Sequence, residues 1–392
     1  RDVLGSRGLG DVYKRQMLVG IIAMIGSFLV GTLGKDYLIS VNAQMYGWTP
    51  TYSYSITDSD FQDSIKMEEF FYKIREIDDC VTITFDMREN IIFAPIVSVS
   101  SLQGAANDIY KKVVPVDVVL TTTAYNKIYN LPMSSGSWFS YSETEKSLCM
   151  VVNKEAESYF NTPYAVGNTG SSLSLTPFNV TGTVNDGKDI PTVYLDAQAV
   201  EEFLPNMWQV QNASVYWHLT KGLTTNQMYS SLDDILQDTI GGHIEYSGRS
   251  DIGDAYDSVL SMLQLGLLIT SFLLLFVSVL GQINIGLSSL EQRTYELLIR
   301  RAIGASRINI VALVLGTQLV ISIFVCIVSI LLSILIVEGI GIFLPPDTPV
   351  ASPAYPFFSA VVAVVASVTV ALLGGLLPAL KAAKLEPALA LR

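Results

Sequence analysis

The chain has 392 residues, 50% of them hydrophobic and only 15% charged, with a mean hydropathy of +0.42. Soluble domains carry about 25% charged residues, so a wholly soluble globular protein is excluded and a lipid bilayer is the expected surrounding. The net charge of −12 also excludes nucleic acid as a partner, because that needs clustered Lys and Arg.

Residues 1–16, RDVLGSRGLGDVYKRQ, are polar and glycine-rich and stop abruptly at Met17. Gly5, Gly8 and Gly10 follow no strand and lead to no Gly-Lys-Ser/Thr, so they do not form a phosphate loop. The segment resembles translated sequencing-adapter sequence, and the fold is read from Met17 onward. A bilayer crossing needs about 20 mostly apolar residues. Four stretches meet or nearly meet that length: 17–34, 258–282, 310–337 and 357–377. The first has no small-x-small cleavage site before a plausible mature start, so it reads as an uncleaved span. Gly20, Ala23, Ser27, Gly31 and Gly34 share one of its faces. Small residues at that spacing let helices approach closely, which predicts a helix-packing interface.

Residues 35–257 have soluble character and enough length for their own core. Over 35–280 there are 13 basic and 29 acidic residues, a net −16, so the acidity of the chain is local to this region. Segments 80–87, 91–101, 191–198 and 213–220 are rich in β-branched residues and predict strands. Apolar residues at helical spacing over 68–77 and 226–240 predict helices, giving an α+β domain. Cys80 and Cys149 both lie here, where a disulfide is chemically permitted but sequence leaves their separation open. Cys326 sits within the third span and reads as a packing residue. His218 and His243, the only histidines, read as structural or solvated, and the acidic pairs Asp78-Asp79 and Asp233-Asp234 as solvated faces. Nothing in the region suggests catalysis, a bound metal or a cofactor.

Lys and Arg set the topology. Segment 283–309 holds Arg293, Arg300, Arg301 and Arg307, and the tail holds Lys381, Lys384 and Arg392, whereas 338–356 has neither Lys nor Arg. The positive-inside rule then places 283–309 and the C-terminal tail 378–392 in the cytoplasm, and the α+β domain and the short loop 338–356 outside. Four spans with both termini inside satisfy every loop at once. Within 283–309, Arg293, Glu296 and Arg300 fall within about 60° on a helical wheel. Leu287, Leu290, Leu297, Leu298, Ala302 and Ala305 gather on another side. That pattern predicts an amphipathic helix lying at the inner membrane face. Lipid headgroups would account for the arginines but not for Glu296; a protein partner of complementary charge accounts for both.

Two motifs extend this reading. Arg293-x-x-Glu296-Leu-x-x-Arg-Arg-Ala302-Ile303-Gly304-Ala305-Ser306 resembles the signature after the second span of FtsX/MacB-like ABC transporter permeases. The tail from Gly375 through Pro378, Ala379, Ala382, Ala383 and Pro387 to Arg392 resembles the closing motif of the same family. Leu298 departs from the pattern, which commonly has Gly there. The resemblance implies a membrane permease with four transmembrane helices and a MacB-like extracytoplasmic core domain between the first two. It also implies a separate ABC-type ATP-binding subunit as partner, a second permease subunit or half, and a bacterial plasma membrane location. On that carry-over, residues 283–309 form a coupling helix, with Arg293, Glu296, Arg300 and Arg301 facing the ATPase and Gly304 and Ala305 permitting the turn into the third span. The chain has no G-x-x-x-x-G-K-[ST] of its own, so ATP is expected on the partner and this chain is not expected to be an enzyme. The expected function is export or extraction of a peptide, antibiotic or lipoprotein-like substrate. The alternative is a mechanotransmitting regulator of cell-wall hydrolases that moves no substrate.

Overall fold

The computed structural model describes residues 2–77, 80–97, 112–140, 148–169, 175–220, 222–350 and 354–384. The pair Asp78-Asp79, the end of the predicted 91–101 strand and the last eight residues of the tail motif lie outside them. The chain divides into two compact units, one strand-rich (Tyr37–Tyr256 with Pro345–Ala351) and one helical (the remainder).

The strand-rich unit is built on one eleven-stranded mixed sheet among the described residues. Its strands are β1 (Thr51–Thr57), β2 (Val81–Met87), β3 (Ile91–Ile96), β4 (Asp117–Thr121), β5 (Met133–Gly136), β6 (Cys149–Asn153), β7 (Tyr164–Thr169), β8 (Thr176–Val184), β9 (Thr192–Asp196), β10 (Val210–His218) and β11 (His243–Arg249). They run in the order β11-β1-β10-β2-β4-β9-β6-β8-β7-β3, and β5 pairs with β8. The pairs β4/β9 and β6/β8 are parallel, and the other neighbours antiparallel.

Successive side chains on a strand point to opposite faces, and the centre of this sheet is covered on both. Val193 and Leu195 of β9 join the larger core, to which α2 (Ser64–Ile77) contributes Met67, Phe70 and Phe71, and α6 (Thr225–Asp238) contributes Met228, Leu232 and Leu236. Tyr194 between them points the other way, into a second core with Tyr125 and Ile128 of α3 (Tyr125–Ile128), Tyr129 and Val151. The Tyr194 hydroxyl donates to Asp186 Oδ2 at 2.7 Å, and burial pushes that hydroxyl far above its ordinary pKa. Asn153 also serves Asp186, donating from Nδ2 at 3.2 Å to each carboxylate oxygen. Its Oδ1 accepts the N–H groups of Ala156 and Thr192 at 2.9 Å, tying β6, α4 (Lys154–Glu157) and β9 together.

Both predicted helices form, and local capping explains their starts. Asp63 Oδ1 accepts the Ile65 N–H at 3.1 Å, which begins α2 four residues earlier than its apolar spacing suggests. Thr224 and Gln227 close a capping box at the start of α6. Cys80 and Cys149 do not bond to each other. Cys80 lies at the start of β2 and Cys149 at the start of β6, with β4 and β9 between those strands. Three strand spacings are roughly 14 Å, beyond the roughly 7 Å that a disulfide can bridge between Cα atoms. His218 Nδ1 lies 3.1 Å from Trp48 O, and His243 is exposed beside Asp58 at 3.7 Å.

The helical unit comprises most of α1 (Asp2–Tyr46), α7 (Gly253–Ala302), α8 (Arg307–Phe343) and α9 (Phe357–Ala383). All four are long and apolar enough to cross a membrane by length and composition. Helix α1 extends back through residues 2–16, which the sequence had set apart, and forward well past residue 34. Its buried face is not the small-residue stripe. Ile21, Ile25 and Leu29, roughly opposite that stripe, pack with Val325 and Cys326 of α8 and Ala363 of α9. Within the stripe, Ala23, Ser27, Gly31 and Gly34 are half-buried. Gly31 is brought close to another helix: a Cβ there would lie 2.7 Å from Leu267 Cδ1 on α7, whereas one on Gly34 would meet open space. The tightly used small residues are on α9, where Ser359, Ala363, Ala366, Val370, Gly374 and Pro378 are buried at helical spacing.

Asp196 caps α5 (Ala197–Phe203) by accepting the Gln198 N–H at 3.1 Å, and burial pushes its pKa up to about 6. A raised carboxyl pKa adds stability below the unfolded value near 3.8, and that increment is lost as pH rises through about 6. Asp196→Asn keeps the cap acceptor without the charge. It is expected to raise the thermal midpoint of the domain at pH 8, with the gain gone below about pH 4, as thermal melts across that range would read.

Candidate partner-contact surface

The charged segment is not a separate helix. It continues α7, which runs unbroken for 50 residues, roughly 75 Å at 1.5 Å per residue. No proline interrupts it between residues 253 and 302, and the first true break is Gly304, at φ 111°. The amides of Gly304 and Ala305 close the last turn onto Arg301 O and Arg300 O, each at 3.1 Å. Two residues on, Ser306 Oγ accepts the Asn309 N–H at 3.2 Å and caps α8. Gly304 thus supplies the left-handed conformation that the turn requires. Ala305 packs against the cluster of Leu290, Leu297, Ile310 and Ala382.

Arg293, Glu296 and Arg300 come together on one exposed arc. Arg300 Nη2 lies 2.8 Å from Glu296 Oε1, with both side chains about half exposed. Such a pair adds roughly 0.3–0.5 kcal/mol, so holding the helix together is a minor part of what it can do. Arg301 turns inward instead, donating from Nη1 to Ala383 O at 3.1 Å, at the end of α9. A cation suits the unsatisfied carbonyls of a helix C-terminus. Leu298 is buried and Ala302, expected on the buried side, is exposed. Composition-led reading missed Tyr295, Ile299, Ile303 and Ile308, all exposed, Ile303 at 82%. At 100° per residue, Tyr295, Ile299 and Ile303 form a strip directly beside the charged arc. The signal was present as an i, i+4, i+8 series. An exposed surface combining an apolar strip with both signs of charge has the make-up of a protein contact.

Above this surface, α9 receives the other two helices where its side chains are absent. A Cβ on Gly374 would lie 2.6 Å from Gln282 Cγ of α7, and one on Gly286 of α7 would lie 2.6 Å from Pro378 Cγ. Gln282 Nε2 donates to Gln318 Oε1 of α8 at 3.2 Å, a polar bond that joins helices well where water is excluded. Among the described residues no group of three or more His, Cys, Asp or Glu is placed to hold a metal ion.

Comparison with known proteins fits both units. The FtsX-like permease C-terminal family matches residues 268–387, taking in the charged arc, the Gly304 turn and the Gly374–Pro378 contact. The MacB-like periplasmic core domain matches residues 17–235, more than half of the chain. The chain belongs to the FtsX/MacB-like ABC transporter permease family. The family is membrane-embedded and carries a periplasmic core domain. A curated relative, the macrolide export ATP-binding/permease protein MacB of Mannheimia succiniciproducens, is 38% identical over 127 residues. That stretch is 32% of this chain and 19% of the relative, so the chain spans about a fifth of the relative it matches. Among solved structures, the periplasmic region of MacB from Actinobacillus actinomycetemcomitans is similar at 12% identity and a TM-score of 0.35, over 54% of this chain and 93% of that one. The extracellular domain of the noncanonic ABC-type transporter YknZ from Gram-positive bacteria gives 10% identity and a TM-score of 0.31, over 50% and 100%.

For this permease, the Gly374 contact predicts a sharp asymmetry between glycines. Gly374→Val is expected to force α7 off α9 and lower the thermal midpoint of the detergent-solubilised protein by several degrees. Gly316→Ala on α8, where a Cβ meets open space, is expected to leave it unchanged.

Proposed function

We propose that this chain is the permease subunit of an ATP-driven complex in which a separate ABC-type ATP-binding subunit grips the exposed arc of α7. The observation that carries the reading is that arc itself, with Arg293, Glu296 and Arg300 beside Tyr295, Ile299 and Ile303 on a helix that continues without a break to Gly253. Hydrolysis on the partner would displace the cytoplasmic end of α7, and the strand-rich domain outside would move in response. The movement would serve export or extraction of a peptide, antibiotic or lipoprotein-like substrate. The chain itself is non-catalytic in this scheme: ATP binds to the partner, and the spans offer no chain of ionisable residues for ion coupling.

The topology proposed is four crossings with the N- and C-termini in the cytoplasm, which the distribution of Lys and Arg supports. A second permease subunit or half completes the assembly. None of the most apolar stretch of α7 is buried in its own chain, and the small-residue face of α1 is turned away from α8 and α9. Both surfaces suit a second copy.

Glu296→Arg tests the contact. It sets three arginines on one arc and removes the 2.8 Å pair. Charge reversal at an interface costs enough to weaken binding by tenfold or more, on the order of 2 kcal/mol. Copurification of the ATP-binding subunit and the ATPase rate of the complex are expected to fall together. Wild-type values for both would remove this assignment.

A further inference from the structure

Two asparagines of the strand-rich unit each hold two distant chain segments at once. Asn130, in the left-handed region at φ 45°, donates from Nδ2 to Ser40 O at 3.1 Å and to Pro349 O at 3.4 Å. Asn185 accepts from Gln44 Nε2 on its carbonyl at 2.9 Å, and its own Nδ2 donates to Asp347 O at 2.9 Å. Ser40 and Gln44 lie near the end of α1. Asp347 and Pro349 lie in the loop between α8 and α9, of which residues 345–351 belong to the strand-rich unit. The end of α1 and this loop therefore share the same pair of residues, Asn130 through its side chain and Asn185 through its main-chain carbonyl and its side chain.

The loop is also held by charge. The Asp347 side chain is 7% exposed, pairs with Lys154 Nζ of α4, and accepts from Ser134 Oγ at 2.6 Å. The Lys154 ammonium holds the Asp347 carboxyl below the usual carboxylate range. Lys154 itself is 46% exposed, so it can swing into solvent, whereas a carboxylate left buried without its partner is strongly unfavourable. Loss of the pair therefore favours release of the loop. It is also stiff. Pro345, Pro346 and Pro349 restrict its backbone, and Thr348 donates its N–H to Pro345 O at 3.0 Å.

We propose that Asn130, Asn185, Lys154 and Asp347 form a latch that joins the end of α1 to the α8–α9 loop, so that the domain is driven through three attachments and not only through α1 and α7. The four are positioning residues. Their part in ATP-driven movement rests on the function proposed above; the latch itself does not.

Hydrogen exchange on the full chain in nanodiscs, alone and with its ATP-binding subunit, tests both layers. In the chain alone, Asp347→Ala is expected to speed exchange at Thr348 and Val350 about tenfold, the order lost with a buried charge-assisted hydrogen bond. It should also quicken residues 40–46 and leave α2 and α6 unchanged. The exchanged pair Lys154→Asp with Asp347→Lys should recover most of the protection. Unaltered exchange at 345–351, or a swap no better than the single variant, overturns the latch. If Asp347→Ala does not fold, Lys154→Met gives the same readout from a half-exposed position. With the ATP-binding subunit present, ATP is expected to change exchange in 37–46 and 345–351 together in the wild type, and only in 37–46 in the variant. A response at 37–46 without one at the loop in the wild type overturns the three-attachment role and leaves ATP coupling standing. No response anywhere overturns the proposed function, while the ATP-free comparison still decides the latch.

Discussion

The helical unit depends on how closely α7, α8 and α9 can approach one another. In a bilayer, lipid tails are as apolar as the side chains, so burial alone does not pull helices together; close packing and occasional polar bonds must do it. Helix α9 meets that requirement with small residues along its buried face and two glycines where the others press hardest. Gln282 fills the space left by Gly374 and reaches Gln318, and Pro378 fills the space above Gly286. The C-terminal half of α7 is thereby fixed in place, and its charged arc is presented outward on a supported helix. Ser322 Oγ adds a bond to Ser367 O at 2.7 Å between α8 and α9. Arg301 and Ala383 close the same end of the unit.

The strand-rich unit meets a different demand, which is to bind together the chain segments that lead away from it. Asp251, two residues before α7, accepts the Thr51 N–H at 2.8 Å and a bond from Arg249 Nε at 2.9 Å. Ser250 donates its N–H to Thr51 O at 2.9 Å. The start of β1 and the approach to α7 are clamped by one buried carboxylate, as the end of α1 and the α8–α9 loop are clamped by Asn130 and Asn185. On the function proposed above, the load on the domain would fall on these paired hydrogen bonds and not on single flexible linkers.

Much of this was legible in the sequence where the signal was local. Helices at 68–77 and 226–240 followed from apolar spacing, strands at 80–87, 191–198 and 213–220 from β-branched runs, and the membrane character of the helices from composition. The Gly304 turn followed from the family resemblance, and the closeness of Glu296 and Arg300 from their spacing. What escaped had long-range causes. Strands β4 and β8 are threaded with polar residues and were not among the predicted strands. The fate of Cys80 and Cys149 depended on strand order, which no spacing encodes. Arg301 was grouped with the outward arginines because its inward partner is a backbone carbonyl 82 residues away. The loop at 345–351 read as a short connection because its partners Asn130 and Lys154 are remote in the chain.

Since Gln282, Gly286, Leu290, Leu297 and Arg301 fix α7 from one side, the outward arc from Tyr295 to Ile303 is free to vary without disturbing the helices beneath it. On the function proposed above, partner choice is in that sense separable from architecture. Related permeases living in one cell could keep a common scaffold and diverge only along this strip, so that each answers to its own ATPase and ignores its neighbours'.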